Sequence, residues 1–256
     1  MRYLIPLFIA VLFTGKCFGV TPGQSNSTNM LAAVKASTNQ PVKWDGTITF
    51  GLTVTEGNVN SVLTTSKVAA ERKTTHNDLN LGADGAYGEV ASTESAESLH
   101  GCAQDNQTIV DDTWYGYGRA DGLHDAIQDI AYRFTTGAGG GYYFIKNKMT
   151  TLSSEAGPAF ETEKLDDEYH QYPTARVAEN FEHKIDDHAR VWQNVEVIPP
   201  LTAPDAFLVN AEVGVETPLT HKLSLQTYLQ DNFANVPAPG YKDNDLKLIS
   251  GLVFKF

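Results

Sequence analysis

Residues 42–55 read Val-Lys-Trp-Asp-Gly-Thr-Ile-Thr-Phe-Gly-Leu-Thr-Val-Thr. Val42, Trp44, Gly46, Ile48, Phe50, Leu52 and Val54 fall on one side of a two-residue period. Lys43, Asp45, Thr47, Thr49, Gly51, Thr53 and Thr55 fall on the other. Successive side chains of an extended chain point to opposite faces, so this is a strand with one apolar or glycine face and one mostly polar face. It is also long. Strands of soluble sheets mostly run to about five or six residues, whereas a strand that crosses a bilayer needs roughly nine to eleven.

The same long alternation recurs outward from this stretch. Ile130, Tyr132, Phe134, Thr136, Ala138, Gly140, Tyr142 and Phe144 share a face, as do Phe207, Val209, Ala211, Val213 and Val215. Leu246, Leu248, Ser250, Leu252, Phe254 and Phe256 form the last such run, against Lys247 and Lys255. In a sandwich the apolar face meets a second sheet; in a membrane barrel it meets lipid and the polar face lines the lumen. The length of the runs favours lipid. The expected fold is all-β, a closed antiparallel transmembrane β-barrel.

A first count gives eleven strands, which would leave the two ends of the barrel on opposite sides of the membrane, contrary to bacterial single-chain barrels. Ala96 to Asp121 is long enough for two strands with a turn at Thr108–Asp112, giving about twelve. The turns then sort into two sets. Arg72–Thr75, Thr108–Asp112, Lys146–Lys148, Lys184–Asp187 and Thr217–Thr220 fall on the periplasmic side. Glu56–Asn58, Val90–Ser95, Asp121–Ile127, Glu161–Gln171, Pro199–Asp205 and Asp231–Asn244 fall outside, most of them longer. Trp44, Tyr142, Phe144, Phe254 and Phe256 gather near the periplasmic rim, and Tyr87, Phe160 and Phe207 near the outer one, like the aromatic belts of membrane interfaces. Glu179 and Gln193 fit badly: both land on lipid faces, which points to a bulge or a register error. The stretches Val59–Arg72 and Ala96–Gln107 alternate weakly.

The first residues read as an export signal. Arg2 precedes the apolar run Tyr3–Phe13, and Gly15, Cys17 and Gly19 are small residues near a cleavage point. No apolar run approaches the roughly 18 residues of a membrane helix. The expected organisation is a signal peptide at residues 1–19, a Ser/Thr/Asn-rich periplasmic leader at 20–41 and a barrel over 42–256, exported to the bacterial outer membrane. Met30–Ala36 reads as loose linker rather than a lumen plug. If Cys17 leaves with the signal, Cys102 has no partner within the chain.

The 256 residues hold 31 Asp and Glu against 19 Lys and Arg, a net charge of −12, which argues against a nucleic-acid partner. The expected partners are outer-membrane lipid and, through the final strand, the barrel-assembly machinery: Leu252, Phe254 and Phe256 resemble the C-terminal signal it reads. Facing inward under this register are Asp45, Asp84, Arg133, Glu155, Arg190, Glu212 and Lys255. Charges are tolerable there because lumen groups pair or meet water. They read either as a charge ring biasing solute passage or as a paired filling of a narrow barrel.

Glu161, Glu163, Asp166, Asp167, Glu168 and His170 read as a solvated acidic outer loop, without the ligand spacing of a calcium loop. Gly137, Gly139, Gly140 and Gly141 lack the strand-to-helix context of a phosphate cradle. They read instead as room for bending or for side chains from across the lumen. The seven histidines show no metal spacing, no cofactor is expected, and no nucleophile motif surrounds the serines near His100 or His221.

Several motifs together resemble the salt-induced outer-membrane protein family, a YdiY-like domain-of-unknown-function group. They are Trp44-Asp45-Gly46, Thr55-Glu56-Gly57-Asn58, Tyr115-Gly116-Tyr117-Gly118-Arg119-Ala120-Asp121, Gly137–Gly141 before Tyr142, Leu152–Phe160 with its Glu155-Ala156-Gly157-Pro158 core, and Leu252–Phe256. The resemblance implies an outer-membrane barrel and no established activity. The sequence therefore points to a small pore or an envelope structural protein, with a lipid hydrolase on a barrel scaffold as the alternative.

Overall fold

The computed structural model describes residues 44–256 apart from 56–60, 91–92, 111, 127–129, 166–167, 187 and 237–242. The signal peptide, the leader with Met30–Ala36, and residues 42–43 lie outside the described residues. Every regular element described is a strand: β1 (Trp44–Thr55), β2 (Ser61–Lys73), β3 (Asn77–Val90), β4 (Thr93–Val110), β5 (Trp114–Asp125), β6 (Ile130–Lys146), β7 (Thr150–Leu165), β8 (Glu168–Asp186), β9 (Ala189–Ile198), β10 (Leu208–Pro218), β11 (Leu223–Ala234) and β12 (Asn244–Lys255). Each is paired antiparallel to its chain neighbours, and β12 returns to β1, so the sheet closes as a barrel with no free edge. The closing seam runs from Thr47 opposite Lys255 to Gly51 opposite Gly251. It is extended by reciprocal backbone bonds between Gly46 and Phe256, 3.2 and 3.0 Å.

Twelve strands stand where the alternation and the two-sided turn pattern expected them. The split of Ala96–Asp121 falls at the turn after Val110, where Thr113 N–H donates to Val110 O at 3.1 Å. Asp112 takes φ 57° there, a left-handed conformation that Asp tolerates better than most side chains.

The connections differ from expectation on the outer side. β3 and β4 are separated only by residues 91–92, and β7 and β8 only by 166–167, so two of the connections expected to be long are tight. The acidic loop is therefore a correction. Glu161 and Glu163 belong to β7, and Glu168 and His170 to β8; Asp166 and Asp167 lie outside the described residues. Only the 199–207 and 235–243 connections are long.

Ile130 is a second correction. A register shift between Ile130 and Tyr132 reverses its parity, and its side chain is buried with Leu123 and Ala86 rather than facing out with Tyr132 and Phe134. Glu179 and Gln193 are a third. The β8–β9 ladder runs unbroken through Glu179 opposite Val195 and Phe181 opposite Gln193, and its shift lies further on, between Lys184 and Asp186. Both side chains face outward with no bulge to excuse them.

The distribution of polarity is inverted relative to a water-soluble protein. Phe50, Leu99 and Leu248 are each more than 60% exposed on the outer face, while Glu71, His100, Glu155, Arg176 and Glu196 are among the most buried side chains. Burial of one large apolar side chain is worth about 1.5–3 kcal/mol, so a ring of them left outside in water has no offset. Hydrocarbon supplies it. The chain is a transmembrane barrel, with Trp44, Phe144, Phe254 and Phe256 exposed toward the end where β1 begins and β12 finishes and Tyr87 and Phe160 toward the other.

Candidate functional site in the lumen

The lumen is built from a size mismatch between two neighbouring strands. On β5 the inward residues are Tyr115, Tyr117 and Arg119; the β6 residues opposite them are Gly141, Gly139 and Gly137. A Cβ at Gly141 would lie 2.2 Å from the Tyr115 ring, and one at Gly139 would lie 2.8 Å from Tyr117. The bare backbone of β6 lets both tyrosines lie against the wall.

That placement aims Tyr115 at the centre of the lumen network. Its hydroxyl donates to Glu155 Oε1 at 2.9 Å, and Gln104 donates to the same oxygen at 3.1 Å. Arg176 donates to the other carboxylate oxygen of Glu155 at 2.7 Å, and through its Nε to Glu196. Its guanidinium also lies 5.3 Å from the Tyr117 ring centroid. Arg119 grips Asp121 through two bonds of 2.6 Å and donates to Gln104 at 3.2 Å. His100 continues the chain, with Nδ1 3.0 Å from Asp84 and Nε2 3.5 Å from Asp121. From Asp84 to Glu196, neighbouring groups along this path are bonded or ion-paired. Such satisfaction is what makes buried charge tolerable, because an unpaired buried ion costs several kcal/mol.

Two smaller clusters flank this layer. Toward the end where β1 finishes and β12 begins, Arg133 pairs with Glu163 at 2.6 Å and Glu161 at 3.2 Å, and the Tyr172 hydroxyl donates to both carboxylates. Toward the end where β1 begins and β12 finishes, Arg190 pairs with Glu216 at 2.6 Å and Glu182 at 3.2 Å, and Lys255 reaches Glu216 at 2.5 Å. Trp192 donates its indole N–H to Glu212 at 2.6 Å. The Trp192 ring lies over Gly214, where a Cβ would come within 2.2 Å of it. Asp45 stands opposite Glu71, which pairs with Lys73 at 2.6 Å.

Asp45, Asp84, Arg133, Glu155, Arg190, Glu212 and Lys255 thus lie at three levels of one polar interior and do not form a single ring. Alternation alone does not mark Arg119, His100, Arg176, Glu196 and Glu216 as important, although their parity places each on the same face. What singles them out is partnership across the lumen. Among the described residues no cluster of three metal-ligating side chains forms. The Ser98 hydroxyl, two residues from His100, makes no hydrogen bond to it. Cys102 is buried on the lumen face of β4.

The lumen divides into two cavities. One of about 230 Å³ occupies the end where β1 begins and β12 finishes, lined by six acidic and six basic side chains. The other, about 50 Å³, lies toward the opposite end beside His100, Asp121 and Arg133. Arg119 and Arg176 line both, so the two guanidiniums and their carboxylates form a layer between them.

The model of a protein family of unknown function, DUF481, matches residues 48–256. The chain belongs to the DUF481 family. No curated protein matches the sequence. An outer-membrane channel from Pseudomonas putida F1 is similar in structure, with a TM-score of 0.53 at 11% identity, over 89% of this chain and 100% of that one. The NanC porin gives a TM-score of 0.51 at 6% identity, over 83% of this chain and 98% of the other. At such identities the likeness carries the fold alone: a closed barrel of the outer-membrane type.

Proposed function

We propose that this DUF481 protein is a bacterial outer-membrane pore for small polar solutes or ions, delivered there by a cleaved signal peptide and assembled through its C-terminal strand. The observation that carries the reading is the layer formed by Arg119 and Arg176 between two cavities of one lumen. The larger cavity carries both signs of charge in equal number, and over the two cavities together carboxylates outnumber Lys and Arg, a lining that gives at most a modest preference for cations. The two cavities lie in line and are separated by a pair of guanidiniums carried on side chains, which a small rearrangement would move aside. The motifs shared with the salt-induced subgroup support a role in an envelope exposed to changing ionic strength.

A structural role is the second reading, and the complete pairing of Arg176 with Glu155 and Glu196 favours it. Planar-bilayer recording of refolded protein separates the two. A pore gives discrete conductance steps with weak cation-to-anion preference. A silent wild type that stays silent after Arg119→Ala and Arg176→Ala together leaves only the structural role.

A further inference from the structure

The outer face carries one group that neither the lumen nor the lipid explains. Glu179 lies in the middle of β8, seven residues from Asp186 and eleven from Glu168, and its side chain faces outward, exposed. The other outward ionisable groups described lie near strand ends or hold partners. Asp105 accepts from Asn77 and Gln107, Asp231 from Asn244, Glu89 from Tyr87, and Arg72 lies over Trp44 and donates to Asn77. Among the described residues no hydrogen bond or ion pair reaches Glu179, whose neighbours on the outer face are Val177, Phe181 and Val195. An ionisable side chain placed in hydrocarbon without a partner is costly and marks a contact.

A second polar side chain stands beside it. Gln193 on β9 also faces outward, and its cross-strand partner is Phe181, two positions from Glu179. Barrel strands are tilted, and the register shows which way the rows run. Gly251, four residues from the end of β12, connects through Gln226, Glu216 and Arg190 to Lys184, only two residues from the end of β8. Over these four steps the row comes two residues closer to the strand ends, so the tilt offsets only part of the two-residue rise from Phe181 to Glu179. Glu179 and Gln193 stand within two residues of one height, a gap of at most about 7 Å along the strand that two long side chains can span.

We infer that this patch is a self-association surface, by which two copies of the barrel meet side by side in the membrane. A carboxyl group and a carboxamide at neighbouring heights on adjacent strands are self-complementary about a two-fold axis along the membrane normal. Glu179 of each copy then meets the partner subunit's Gln193, and both polar groups leave the lipid. Ala156 and Ala211, the small residues facing outward on the adjoining strands, let the two walls approach closely, as small residues do at lipid-embedded contacts. The charge on the lipid face thereby acquires a partner that a single barrel does not supply.

The test uses the full-length protein reconstituted in lipid vesicles, with oligomeric state read by single-molecule photobleaching across protein-to-lipid ratios. The wild type gives two-step bleaching. Glu179→Leu and Gln193→Leu each weaken association at least about ten-fold, and Glu179→Gln, which keeps hydrogen bonding, weakens it least. Val195→Trp keeps the face apolar yet props the walls apart, so it yields monomers while retaining the heat-modifiable gel shift of a folded barrel. A wild type that is monomeric at all ratios overturns the inference. So does a dimer that persists unchanged in Val195→Trp and in either leucine variant.

Discussion

The ring of Phe256 lies directly over Gly46: a Cβ added to the glycine would sit 2.6 Å from the edge of the ring. The two residues also exchange both backbone hydrogen bonds. Glycine in the Trp44-Asp45-Gly46 motif is therefore a matter of clearance, since its outward face is occupied by the aromatic ring that follows β12. Gly46→Val forces the ring aside at the seam that closes the barrel. The expected cost is that of overpacking, about 1–3 kcal/mol. It is read as a lower unfolding midpoint in urea and earlier loss of the folded gel band on heating. Phe256→Ala in the same chain recovers part of the loss, because the collision is gone.

Arg176 neutralises two carboxylates at once, Glu155 and Glu196, deep in the lumen. Arg176→Met leaves both buried without their cation, and breaking a buried pair from one side costs about 3–5 kcal/mol. Chemical unfolding in vesicles measures it. Adding Glu155→Gln and Glu196→Gln to the same chain recovers most of the stability, because no unpaired charge remains. If the triple variant is no more stable than the single one, the Arg176 side chain acts by packing rather than by charge.

Gly141 provides the floor for the Tyr115 ring. Gly141→Leu drives that ring toward the lumen axis and away from Glu155, loosening the Tyr115–Glu155 bond of 2.9 Å. Stability falls by about 1–3 kcal/mol, as for other overpacked sites. In bilayers any wild-type conductance drops, since the displaced ring narrows the wider cavity. Gly116→Leu, on the outward face of β5 where the nearest described atom to a Cβ is 3.5 Å away, changes neither quantity much.

Much of this architecture is legible from periodicity because the two solvents of a barrel impose their alternation on every strand. The β1 face of Trp44, Ile48, Phe50 and Leu52 can be read without knowledge of any other strand. Ile130 could not be read that way: a one-residue shift flips parity, and nothing in its own segment announces the shift. Glu161 and Glu163 look like loop because polar residues occur on both faces there. Their lumen position follows only from Arg133 and Tyr172 on the neighbouring strands. The central layer was hidden for the same reason. Arg176 and Glu155 belong to adjacent strands, but Gln104, Arg119 and His100 join them only once the sheet has curved into a ring.

Thr49 and Phe50 are consecutive residues near the middle of β1, one lining the larger cavity and the other exposed on the outer face. They allow the two-solvent reading to be tested within a single peptide unit. Phe50→Arg places a cation in hydrocarbon, at about 2–4 kcal/mol near the midplane, whereas a charge on the lumen side meets water or carboxylates. Thr49→Arg is therefore expected to cost less than about 1 kcal/mol, since the cavity it enters already holds both signs of charge. Equilibrium urea unfolding in vesicles gives both numbers from matched preparations. Thinner bilayers discriminate further: they bring the interface nearer to residue 50 and lower the Phe50→Arg penalty, while leaving Thr49→Arg unchanged. Equal costs for the two variants, or a Phe50→Arg cost indifferent to bilayer thickness, would mean that the outer face does not meet lipid at this height.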